Sequence, residues 1–179
     1  MAFIVESGTG LSNSTSYLSL ADFKTYHDDR GGVYSTYSDG ALREALVRAT
    51  DFIDRRWRGK FVGARLLTSQ ALEWPRTNAF YFDGRTISGV VAEIEQATAE
   101  LTLRSAAEFA KTTSSRIDPD AVLDETHRVL SSKSESVGSV QRAVAFSGGD
   151  SAILLWRRFP AVEGLLHELV REARILERV

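Results

Sequence analysis

The residues here that can do chemistry are three histidines, a few closely spaced carboxylates and one run of cations. His27, His127 and His167 contain no pair at the i, i+4 spacing of a helical metal site. The chain has no cysteine, so thiolate metal sites and disulfides are excluded. Surface or hydrogen-bonded histidines are the simpler reading. Asp51 and Asp54 share a helix face, as a general acid–base pair requires. Arg55 and Arg58 lie four residues beyond them, so intrahelical ion pairs explain both. The serines include no G-x-S-x-G elbow. No P-loop and no G-x-G-x-x-G fingerprint is present. These absences point away from an enzyme and towards a structural assembly protein with no cofactor and no metal.

Arg55-Arg56-Trp57-Arg58-Gly59-Lys60-Phe61 interleaves cations with aromatics. Stacking on bases combined with phosphate binding would use that pattern. The other reading is a helix C-terminus whose cations suit the dipole, with Trp57 and Phe61 in the core. Glu73-Trp74-Pro75-Arg76 is either a recognition loop or a core anchor in which Pro75 sets the chain direction.

Composition fits one globular domain with extensions. The chain has 179 residues, 43% hydrophobic and 26% charged. No apolar run is long enough for a membrane span, and the first residues do not form a secretory signal. The net charge of −2 is uneven: −4 over 1–54, +5 over 55–85 and −3 over 86–179. The middle zone can attract phosphate or an acidic partner.

The elements that position these residues are mainly helical. Residues 1–18 read as an N-terminal arm. A short helix is predicted from Leu20 to Asp28, ended by Gly31-Gly32. Leu42, Ala45, Leu46, Ala49, Phe52 and Ile53 recur at three- and four-residue spacing and predict a helix over Asp39–Trp57. Ser38 or Asp39 caps it and Gly59 stops it. One or two helical turns are expected over Thr68–Trp74, then a loop over 77–86 with its turn at Asp83-Gly84. A second long helix is predicted from Ser88 to Ala110, paired with the first. Residues 128–146 read as two strands turning at Gly138-Ser139, a ribbon marginal by itself. After the flexible Ser147–Asp150 break, an amphipathic helix runs from Pro160 to the C-terminus. That helix either completes the core or docks into a partner's groove. The expected organisation is an arm (1–18), a helical core (19–127), a β-hairpin arm (128–148) and a C-terminal docking helix (149–179).

Several segments together resemble the head–tail adaptor (head completion, connector or neck) proteins of tailed bacteriophages. Some members of that family carry the label of DnaT-like single-stranded-DNA-binding proteins. The resemblance rests on Ser16-Tyr17-Leu18-Ser19 leading to Arg30-Gly31, and on Arg48-Ala49-Thr50-Asp51-Phe52-Ile53-Asp54 leading to Arg58-Gly59. It continues through Gln70-Ala71-Leu72-Glu73-Trp74-Pro75-Arg76, Ala97 to Leu101, Lys133 to Gly138, and Pro160 to Leu166. Each motif is weak, but their order is specific. The loop at 111–127 and the tail at 167–179 are longer than the family pattern.

The resemblance implies a ring of copies, twelve by expectation, beneath the portal protein. The ring would extend the DNA channel and carry the next neck, stopper or tail protein. It implies a virion protein made in the host cytoplasm, with no membrane partner. On that basis Val129, Lys133, Glu135, Val137, Val140, Val144 and Phe146 are candidate subunit contacts. Leu165, Leu166, Leu169, Arg171, Ala173, Arg174 and Leu176 are candidate portal contacts. Arg55, Arg56, Arg58 and Lys60 are candidate non-specific DNA contacts in the channel. The alternative is a single-stranded nucleic-acid-binding module built on the basic 55–65 stretch.

Overall fold

Two serines set the starts of the first two helices. In a computed structural model, which describes residues 2–112 and 159–171, Ser19 accepts from Asp22 N at 3.1 Å and caps α1 (Leu20–Asp28). Ser38 accepts from Ala41 N at 3.2 Å and caps α2 (Asp39–Trp57). Each satisfies a backbone donor that the first helical turn leaves open. Both helices have the predicted bounds. The whole predicted α2 stripe, from Leu42 to Ile53, is buried.

The second long helix, α3, spans Ala92–Thr112 and starts later than the predicted Ser88. Thr86–Ile87 is drawn into a strand, and Gly89 sits at φ +71°, outside the helical region. The α2–α3 pair is the main helical contact, as expected. Ala49, Ile53, Ile94, Ala97 and Leu101 share one buried cluster there, with the short alanines allowing close approach.

The expected helical turns over 68–74 are absent. Side chains satisfy the backbone there instead. Gln70, buried, donates to Leu72 O at 2.8 Å and Pro75 O at 3.0 Å, and accepts from Leu67 N at 2.8 Å. The predicted loop over 77–86 likewise contains strand residues. Antiparallel β1 (Ala64–Arg65) pairs with β2 (Arg76–Thr77), and β3 (Ala79–Phe80) pairs with β4 (Thr86–Ile87). The turn falls near the predicted place: Gly84 N donates to Tyr81 O at 2.9 Å.

The C-terminal part departs further from expectation. α4 covers only Pro160–Leu166, a 3-10 turn covers His167–Leu169, and Val170 is extended. There the chain leaves the helix to pair with residues after α2. Val62 N donates to Leu169 O at 2.9 Å, Arg171 N donates to Lys60 O at 2.7 Å, and Phe61 lies opposite Val170. These extended backbone bonds replace the helical ones that periodicity alone predicted.

The chain divides into two units: Met1–Ile117 with Phe159–Val179, and Asp118–Arg158. The first is mainly helical with small antiparallel pairs. The expected 128–148 hairpin arm lies outside the described residues. So do all seven candidate subunit contacts, from Val129 to Phe146.

Gly63 is where the β1–β2 crossing demands a missing side chain. Its φ is +69°, and an added Cβ would lie 2.5 Å from Thr77 O and 2.9 Å from Ala79 N. Gly63→Ala meets both a left-handed backbone penalty and a clash with backbone that cannot swing away. The expected result is a loss of more than about 2 kcal/mol of stability. Urea denaturation checks it against Gly59→Ala, where the same φ sign meets no atom within 4 Å.

Candidate functional site

The motif residues converge on one buried polar network. Tyr17, 1% exposed, reaches from the N-terminal segment and donates its hydroxyl to Asp54 on α2. The same hydroxyl accepts from Trp74 N at 3.1 Å. Asp54 also accepts from Glu73 N at 3.0 Å. Burial raises the Asp54 carboxyl to about 7, against the hydrogen bonds from Tyr17 and Glu73 N that favour its charged form. Burial, then the adjacent Asp54, raises the Tyr17 hydroxyl well above its ordinary value.

Arg76 closes the network. Its guanidinium donates to Val62 O at 2.7 Å, Gly63 O at 3.0 Å, Glu73 O at 3.2 Å and the Glu73 carboxylate at 3.1 Å. Trp74, fully buried, packs edge-on against Phe61 with ring centroids 5.8 Å apart. Glu73-Trp74-Pro75-Arg76 is therefore the core anchor of the two readings. The expected Asp54–Arg58 ion pair does not form. Asp54 turns inward to Tyr17, and Arg58 pairs with Glu73 at 3.1 Å instead. The Asp51–Arg55 pair is present at 3.4 Å.

The basic stretch splits in the same way. Trp57 and Phe61 are 7% and 2% exposed, so neither ring can stack on a base. Arg55 is exposed beside Asp51, and half-buried Arg56 pairs with Glu163 at 3.6 Å. Lys60 is exposed. Of the candidate portal contacts, Leu166 and Leu169 lie in the core and are closed to a partner, and Leu165 packs against them half-buried. Arg171 is exposed beside Lys60. Ala173, Arg174 and Leu176 lie outside the described residues.

His27 is buried, with its Nε2 3.2 Å from Ala99 O. His167 meets Phe82 edge-on. His127 lies outside the described residues. Among the described residues no cluster of His, Cys, Asp or Glu can hold a metal.

Two features had no sequence expectation. Glu6, buried, accepts from Gly8, Thr9, Gly10 and Leu11 N and from Ser14 Oγ, and so folds the N-terminal arm back on itself. Phe80 and Phe82 stand exposed on the β3–β4 hairpin, whose Tyr81 is anchored to Glu93.

A family model described as "Putative DnaT-like ssDNA binding protein" matches residues 1–178. No curated protein and no solved structure matches the chain.

Proposed function

The chain belongs to this DnaT-like single-stranded-DNA-binding family, and we propose that it is a structural assembly protein: the head–tail adaptor of a tailed bacteriophage. It forms a ring of copies, twelve by expectation, beneath the portal protein. The ring extends the DNA channel and carries the next neck or tail protein. The chain is made in the host cytoplasm, resides in the virion and does not catalyse a reaction.

One observation carries this reading. The residues of the ordered adaptor-like motifs, from Tyr17 through Asp54 to Gln70, Glu73, Trp74 and Arg76, are buried against one another. Motifs that serve a reaction leave a reacting group open to a cleft. These close on themselves and hold a rigid body, which a ring subunit needs.

Electron cryo-microscopy of virions from a phage encoding this chain tests the proposal. The expected result is this fold in the neck, directly below the portal. Virions whose neck lacks the chain sink it.

The family description favours a second reading, single-stranded-DNA binding. On that reading the exposed cations Arg55, Arg58 and Lys60 supply phosphate contacts, and Trp57 and Phe61 contribute no stacking.

A further inference from the structure

The return of the chain after α4 places Arg171 opposite Lys60. Phe61 faces Val170 in an antiparallel pair, and Phe61 points into the core. Lys60, in the turn before Phe61, and Arg171, after Val170, flank that pair, and both are exposed. Like charges directly opposite each other across a strand pair destabilise it. Among the described residues, neither cation has an acidic partner. The fold thus places two exposed cations at backbone-paired positions, where an anion can meet both. Arg58, two residues from Lys60 on the same ledge, is tied to Glu73 at 3.1 Å and adds no free charge.

We infer that Lys60 and Arg171 form a contact for the phosphodiester backbone that takes duplex and single-stranded DNA alike. Phosphate contacts position a nucleic acid without reading its bases. The rings beside this ledge, Trp57 and Phe61, are in the core, so nothing there favours unstacked bases. The competing platform is the Phe80/Phe82 hairpin. Its cation, Arg85, is tied to Asp83 at 2.5 Å, which leaves that tip without free positive charge. The inference rests on the DNA-contact part of the proposed function and not on the ring.

The test titrates the full chain with single-stranded and duplex oligonucleotides of equal length at low salt, read by fluorescence anisotropy. Amide shifts of the unaltered protein are followed in parallel by NMR. Both DNAs are expected to bind with dissociation constants within about threefold of each other. The amide shifts centre on residues 58–61 and 170–171. Lys60→Ala with Arg171→Ala weakens both DNAs by about tenfold and lowers the salt slope by about 2. Phe80→Ser with Phe82→Ser leaves binding unchanged. Binding of single strands alone, lost in the phenylalanine variant, overturns the ledge and leaves single-stranded-DNA binding standing. Binding that the Lys60/Arg171 variant does not alter also overturns it. No binding of either DNA at low salt removes both DNA readings and leaves the adaptor reading to its own test in virions.

Discussion

Arg76→Ala is expected to destabilise the folded chain by about 3–5 kcal/mol, the usual cost of breaking a buried charge pair. The effect is large because one guanidinium serves four acceptors. Without it the carbonyls of Val62, Gly63 and Glu73 lose their donor, and the buried Glu73 carboxylate keeps only exposed Arg58. Arg76→Lys is expected to recover only part of the loss, because a point charge cannot span the planar fork. Arg85→Ala, at an exposed ion pair, serves as the control and should barely move the transition. Urea midpoints measure all three. An Arg76→Ala midpoint close to that of Arg85→Ala would sink the argument.

A pH-dependent stability with an unusual sign is expected from Asp54. Its carboxyl titrates at about 7 when folded and near 3.9 in an unfolded chain. Between those values the native state holds a proton that the unfolded state has released. Raising the pH strips it from the native state alone, so stability falls. The contribution is fully present below about pH 4 and is lost by about pH 7, amounting to roughly 4 kcal/mol. Most surface carboxylates push the opposite way. Asp54→Asn removes the titration while keeping a neutral group against Tyr17 and Glu73 N. The stability difference between Asp54→Asn and the natural chain should therefore grow in the variant's favour across that window. Parallel pH profiles for the two proteins would show that Asp54 does not titrate there.

α1 and α2 were legible in the sequence because their signals are local. A capping serine and an apolar stripe lie within a few residues of each other, and both bounds match. The 68–74 segment was not legible, because the local bonds of Gln70 act together with groups far away in the chain. Tyr17 reaches Trp74 across 57 positions and Asp54 reaches Glu73 across 19. The strands of two residues each are too short to show an alternation. Past Leu166 the helical period continues in the sequence, but pairing with Lys60–Val62 overrides it. The basic stretch showed the same limit. Its residue types were plain from the sequence, but which rings are buried depends on the distant Trp74 and Leu169. For the same reason Lys60 and Arg171 were assigned to different surfaces.

The path of the chain also orders events in time. Phe52 packs edge-on against Phe159 and Phe61 lies opposite Val170, in one cluster with Val162, Leu166 and Leu169. In sequence, residues 118–158 separate the two halves of that cluster. At about 5–20 residues per second, synthesis of that unit alone takes roughly 2–8 s. During that interval the ribosome has already made α1, α2 and α3, while the aromatic side of their packing lacks its last layer. This body therefore completes its core late in translation, and a chain stalled within residues 118–158 leaves Phe52 without Phe159 and Phe61 without Val170.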